Sequence, residues 1–233
     1  MLKSFPDNFR ALVIGASGGI GGAIHAALET DSACARVDAL SRKTHPGFDL
    51  TDETSIEAAA KTLSDSDPFS LIVDCTGILD TSFDRPEKAL KDITPGAFAE
   101  NFAVNATGPA LLFKHLSPLL AREGKCAFAT LSARVGSIGD NGLGGWYGYR
   151  AAKAALNQIV RCAAIEIGRK LPQSVCLALH PGTIESALTR PHAGGRFTHS
   201  AEEAAANLLG VIDKAGPEQS GSFLAYDGST IPF

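Results

Sequence analysis

The sequence predicts a doubly wound α/β fold, a mainly parallel sheet of about seven strands with helices on both faces. Three observations lead there. Short apolar runs rich in β-formers alternate with stretches of helical period along the whole chain. A glycine cluster, GASGGIGG at 15–22, stands directly between the first such run and the first helical stretch. And 233 residues suffice for one well-cored domain but are short for two, so residues 1–233 are read as a single domain.

The first strand is placed at 10–14. Gly15 then allows a tight turn, Gly19 and Gly21 let the backbone approach a pyrophosphate and the helix approach the strand, and the helix start, with Ser17 and Ile20, offers N–H groups to the anion. The run RVDAL reads as a second strand ending at Ser41-Arg42-Lys43. At such a strand end an acid accepts the ribose 2′-hydroxyl of NAD, whereas a cation suits the 2′-phosphate of NADP. Ser41 and Arg42, with no acid, therefore favour NADP(H), with NAD(H) as the alternative. Past a turn at His45-Pro46-Gly47, Asp49 either caps the helix expected at 53–63, next to Thr51 or Asp52, or hydrogen-bonds an adenine amino group. A buried strand pattern at 69–79 ends in Gly77, where the missing side chain admits a ligand.

Residues 84–121 are expected to be mostly helical, broken at Thr94-Pro95-Gly96. Asn105 lies within an apolar stretch of that segment. A buried amide needs partners, so Asn105 is either a satisfied core group or holds a helix irregularity with water. KCAFATLSARVGSI is a strand entering a loop, residues 140–148 are loop-like, and a long helix carries Tyr149 to about Gly168. Then come a strand within SVCLALH, a Pro181-Gly182-Thr183 turn, and a segment at 191–200 that reads as a mobile lid. A helix at 201–214 and a strand SFLAY close the domain.

The chemistry centres on Tyr149-Arg150-Ala151-Ala152-Lys153. A tyrosine and a lysine four residues apart share one helix face, so an ammonium can stand beside a phenol. A neighbouring cation favours the phenolate and lowers the phenol pKa from about 10, which makes it usable as an acid.

Composition bounds the partners. A formal net charge of -4 without a basic run disfavours nucleic acid and anionic membranes, and leaves a small molecule as the expected partner. No stretch approaches the roughly 20 apolar residues of a membrane helix, and the start does not read as a signal peptide. Five widely spaced cysteines without a C-x-x-C pair are expected to be reduced, mostly buried thiols of a cytoplasmic protein, and no metal site is expected.

Taken in this order, the motifs resemble the short-chain dehydrogenase/reductase family over essentially the whole chain. GASGGIG is similar to that family's T-G-x-x-x-G-x-G turn, with Ile14 in place of the threonine. Asp49-Leu50 resembles its adenine-contacting D-V and Cys75-Thr76-Gly77 its N-A-G. Asn105 falls on the asparagine of its N-V-x-x-x-G helix, Tyr149 and Lys153 on its Y-x-x-x-K, and Pro181-Gly182-Thr183 on its P-G loop. LSARVGSIGDNGLGGWYGYRAAKAALN and HPGTIESALTRP are similar to the C-factor-like branch, related to sniffer-type carbonyl reductases.

The resemblance implies an NADPH-dependent reductase of a small carbonyl compound. Lys153 would hold the nicotinamide ribose and lower the Tyr149 pKa, Tyr149 would protonate the carbonyl oxygen, and Asn105 would position a proton-relaying water. Pro181 to Thr183 would hold the carboxamide end, and a homodimer or homotetramer is implied. The family's serine, in S-x-x-G, is Ala133 here. Ser132 is taken as its substitute, with Ser137 or no serine as the alternatives, and a loop insertion at 140–145 is expected to reshape the substrate pocket. Leu143, Trp146, Ile184, Leu188 and Phe197 either line that pocket or pack the core. A nucleotide-binding signalling or regulatory protein with vestigial catalysis is the second reading, resting on Ala133 and on the name of the C-factor branch.

Overall fold

The computed structural model describes residues 2–233. Six parallel strands form one sheet in the order β2-β1-β3-β4-β5-β6. These are β1 (Phe9–Ile14), β2 (Cys34–Leu40), β3 (Leu71–Asp74), β4 (Cys126–Leu131), β5 (Ser174–His180) and β6 (Ser222–Ala225). The chain steps from β1 outward to β2, then crosses back to β3 on the other side of β1. That reversal opens a crevice above the carboxyl ends of β1 and β3.

Helices cover both faces. Every residue of β1, β3 and β4 is buried, which is why these strands read as continuous apolar runs. Successive residues still point to opposite faces. Leu12, Ile14, Ile72 and Phe128 pack against Ile56 of α2 (Glu53–Ser64), Leu112 of α4 (Gly108–Leu116) and Leu156 of α5 (Tyr147–Gly168). Val13, Val73, Ala129 and Leu177 meet Ile24 and Leu28 of α1 (Gly19–Glu29) and Leu208 and Ile212 of α6 (Ala201–Lys214).

The structure corrects the helix expected from residue 84. Up to Thr94 the chain is irregular apart from a single 3-10 turn at Leu90–Asp92. Local bonds hold it there: Asp84 O accepts from the Thr81 hydroxyl at 2.9 Å, and the Asp92 carboxylate from Ala89 N–H at 3.0 Å. Thr94-Pro95-Gly96 starts a helix instead of breaking one. Thr94 is the N-cap of α3 (Pro95–Phe102), accepting from Ala97 N–H at 3.3 Å, and proline suits a first helical position whose N–H has no partner anyway. A π turn at Ala103–Thr107 joins α3 to α4 and carries Asn105, so both readings of that asparagine hold in part: the helix is irregular there and the amide is satisfied, by protein groups. Of the two candidate caps for α2, Asp52 does the capping, accepting from Thr54 N–H at 3.0 Å.

All five cysteines are free. Cys126 and Cys176 are buried, and burial pushes their thiols up to about 11 and about 12, while Cys162 is exposed, so burial is less general than expected. Among the described residues no helix is long and apolar enough to cross a membrane, and no group of His, Cys, Asp and Glu is placed to hold a metal ion.

Candidate active site

At the carboxyl end of β1, Gly15 takes φ +79° and its N–H bonds Leu40 O at 2.8 Å. A Cβ on Gly15 would stand 3.2 Å from the Cys75 backbone, and one on Gly21 only 2.3 Å from Gly15 O. Glycine at both positions lets α1 press onto the turn. Gly18, the N-cap of α1, supplies no side-chain acceptor, so the helix N-terminus keeps its unpaired N–H groups for an anion. A Cβ on Gly19 would meet nothing nearer than Ser186 at 4.0 Å, which leaves room for a pyrophosphate at this end. The turn thus fits the phosphates of a dinucleotide.

Beyond the glycine turn lie the end of β2 and the turns between it and α2. The buried Ser41 hydroxyl accepts from the N–H groups of Lys43 and Thr44, both at 3.3 Å, and this turn leaves Arg42 and Lys43 exposed. The Asp49 carboxylate accepts from the N–H and O–H of Thr51, both at 2.8 Å, and these bonds, with Arg42 nearby, hold it below the usual carboxylate range. Leu50 turns inward, where a Cβ on Gly108 would lie 2.5 Å from its Cγ.

Over β3 and β4 the side chains converge. Gly77 has φ +156°, and a Cβ there would stand 3.0 Å from Asn105 Oδ1 and 3.5 Å from Lys153 Nζ. Asn105 is fully buried and clasps Ile78 from both sides: its Oδ1 accepts from Ile78 N–H at 3.1 Å and its Nδ2 donates to Ile78 O at 2.9 Å. Nδ2 also donates to Asn101 Oδ1 at 3.1 Å. Lys153 Nζ donates to Leu131 O at 2.8 Å and lies 5.9 Å from the centroid of the Tyr149 ring. Gly136 makes this possible, because a Cβ there would come within 2.8 Å of Lys153 Cβ.

Burial governs the titration of both groups. It lowers Lys153 to about 8, with the nearby Asp74 charge acting in the opposite direction, and it pushes the Tyr149 phenol above its ordinary range. The expected lowering of Tyr149 by Lys153 is therefore not found in this structure, where desolvation disfavours the phenolate.

The Pro181-Gly182-Thr183 turn is clamped to the far end of the lid segment. His199 Nε2 lies 2.8 Å from Pro181 O, and Thr198 N–H bonds Thr183 O at 2.8 Å. Gly182 has φ +84°, and a Cβ there would stand 2.5 Å from Thr198 Oγ1. Near the start of the segment, His192 Nε2 meets Asp80 Oδ1 at 2.7 Å and its ring packs edge-on to Trp146 at 5.7 Å. Trp146, in the left-handed region at φ 52°, also packs edge-on to Tyr149 at 6.3 Å. Trp146 thus joins the site, whereas Leu143 is 94% exposed at a loop tip and Ile184 is buried.

Each serine candidate is bonded to a residue other than Tyr149. Ser132 Oγ donates to Asn157 Oδ1 at 2.7 Å, inside the core and two turns further along α5. Ser137 is buried and accepts from Asp140 N–H at 3.1 Å, closing its own turn.

Three participants escaped the sequence reasoning. Asp74 closes β3 and bonds across to Thr130; its signal was an acid ending the apolar run LIVD. Glu87 accepts from Gly148 N–H at 3.2 Å, at the start of the tyrosine helix, and no local pattern linked it to a site 61 residues away. The Asp80–His192 pair spans 112 residues and was equally invisible.

Comparison with known proteins places this geometry. Residues 21–231 match the family described as enoyl-(acyl carrier protein) reductase, of the short-chain dehydrogenase type. The C-signal protein of Myxococcus xanthus is 33% identical over 165 residues, covering 68% of this chain and 95% of that protein. The 1-hydroxy-2-glutathionyl-2-methyl-3-butene dehydrogenase of Rhodococcus sp. (strain AD45) is 31% identical over 232 residues, covering 94% and 97%. Among solved structures, the NADPH-bound carbonyl reductase from chicken fatty liver superposes with a TM-score of 0.83 at 24% identity, covering 99% and 97%. The carbonyl reductase Sniffer of D. melanogaster gives 0.84 at 19% identity, covering 97% and 100%.

Proposed function

The chain belongs to the short-chain dehydrogenase/reductase family of oxidoreductases, and from that premise we propose that it reduces a small carbonyl compound with NADPH, Tyr149 acting as the proton donor. The observation that carries this reading is the buried Tyr149–Lys153 pair beside Gly77 and Asn105, on the same sheet edge as the glycine turn.

The residues that would hold the dinucleotide are Gly15, Ser17, Gly19, Ile20 and Gly21 at the phosphates, and Ser41, Arg42, Asp49 and Leu50 around the adenosine. Cys75, Thr76 and Gly77 would form the floor, with Asn105, Tyr149 and Lys153 at the reacting end and Pro181, Gly182 and Thr183 at the carboxamide. The bound nicotinamide supplies the hydride. Tyr149 supplies the proton: burial keeps the phenol protonated through neutral pH, so the proton is present when an alkoxide, a stronger base, develops beside it. Lys153, held by Leu131 O, presents its charge to the same spot. Asn105 fixes the Ile78 backbone and so the shape of the floor. With Ser132 turned to Asn157, the alkoxide is met by Tyr149 without a serine hydroxyl, and Ser132 supports α5 from within.

The second reading, an NAD(P)-binding signalling protein, draws on Ala133 and on the similarity to C-signal. One experiment separates them. NADPH and NADH binding are followed by fluorescence titration, and oxidation of NADPH by absorbance with a panel of aldehydes, ketones and quinones, for wild type and Tyr149→Phe. Reduction requires tight NADPH binding in both proteins, with turnover lost by about 10²–10⁴-fold in the variant. Tight binding without turnover on any compound supports the signalling reading, and absence of binding refutes both.

A further inference from the structure

Asp74 is a strongly buried acid at the floor of the site, 1% exposed at the last position of β3. Its oxygens receive donors only from nearby strand ends. Oδ1 accepts from Thr76 N–H at 2.9 Å and Thr76 O–H at 2.6 Å, and Oδ2 from Thr130 O–H at 2.8 Å. Thr130 is its register partner on β4, and the next residue, Leu131, holds the Lys153 ammonium through its carbonyl. Acid and ammonium are thus fastened to adjacent strand ends in one desolvated layer. A carboxylate accepting several hydrogen bonds is the arrangement that keeps a buried acid ionised against desolvation.

We propose that Asp74 is a positioning residue, the buried counter-charge that keeps Lys153 protonated at the floor of the active site. The inference rests on the reductase reading for its consequence in turnover, but the coupling between the two buried charges does not.

The other groups packed around Lys153 do not supply that charge. Asn105, Asn157 and the Leu131 carbonyl are neutral, the Tyr149 phenol is held protonated by burial, and the Cys75 thiol is pushed well up by burial and by Asp74 itself. Arg134, in the turn over α5, is exposed and paired with Asp140 at 2.5 Å. Burial opposes the charged form of both Asp74 and Lys153, and the field of each acts to retain the other's charge. Without the carboxylate, Lys153 would lose its proton at lower pH, and with it the cation beside Tyr149.

The test is the Lys153 Nζ titration by NMR in the full chain, assigned by loss of its signal in Lys153→Met, for wild type, Asp74→Asn and Thr130→Val. Asn retains an acceptor for Thr76 N–H, and its amide can donate to Thr130 Oγ1. The expected midpoint is about 8 in wild type, lower by at least about one unit in Asp74→Asn, and lower by a smaller step in Thr130→Val. In turnover, Asp74→Asn should lose about fivefold or more near pH 8 and recover toward pH 6, a pH dependence that a merely structural defect does not produce. An unmoved or raised Lys153 midpoint in Asp74→Asn overturns the proposal; if that variant does not fold, Thr130→Val decides by the same criterion. The NMR result stands whether or not Tyr149→Phe retains activity, so the failure of one reading is distinguishable from the failure of the other.

Discussion

The two ends of the site are made of different materials. The glycine turn before α1 is backbone: φ +79° at Gly15, a missing Cβ at Gly21, and the unpaired N–H groups of a helix start. The face of α5 is side chain: a phenol and an ammonium taken out of water, the ammonium fastened to Leu131 O and acted on by the Asp74 charge. Backbone dipoles do not titrate, so an anion at the first end would be held alike across pH, and this end fails by steric intrusion. The second end carries groups whose charge burial has displaced, so it fails through pH and through the loss of single atoms.

The largest expected effect is on the titrating end. Lys153 titrates at about 8 in the fold, against about 10.4 for an unfolded chain. Between those values the unfolded chain binds a proton that the fold does not, so stability rises with pH, by up to about 3 kcal/mol. Above about pH 10 the sign reverses, because the fold keeps the Tyr149 proton that the unfolded chain releases. Urea unfolding at about pH 7.5 and about pH 9.5 should show the rise in wild type and its absence in Lys153→Met.

Next comes the backbone end. Gly21→Val places a Cβ 2.3 Å from Gly15 O, and is expected to cost about 1–3 kcal/mol in thermal unfolding and to abolish NADPH binding at every pH. A variant that bound NADPH normally would break the comparison.

Arg42→Ala probes the proposed preference for NADPH, in which an exposed guanidinium would discriminate by charge. NADPH affinity should fall about tenfold and NADH affinity hardly change, as read by fluorescence titration. The smallest effect belongs to Ser132→Ala: kcat within about twofold of wild type, with about 1 kcal/mol of stability lost because Asn157 Oδ1 is left without its donor. A large fall in kcat at unchanged stability would instead put the serine at the carbonyl.

How much was legible in the sequence depends on how local each signal is. Period-2 and period-3.6 hydrophobicity, the glycine turn and the Tyr149–Lys153 spacing are carried by adjacent residues, and they located the parallel sheet, its strand ends and the long helix that carries Tyr149 and Lys153. Asn105 was legible as an irregularity because a buried amide in a helix must be answered. Where local signs competed, they misled: Thr94-Pro95-Gly96 reads as a break, but becomes a start once the preceding residues are held in turns.

The sequence by itself determined the architecture and the identity of the groups at the strand ends, since both depend on patterns within a few residues. Only the tertiary structure decided their environment. It turned Ser132 toward Asn157, set Asp74 beside the Lys153 layer, tied His192 to Asp80 and raised the Tyr149 phenol. Desolvation and side-chain direction come from elements far apart in the chain, so the residues could be named in advance but their charge and aim could not.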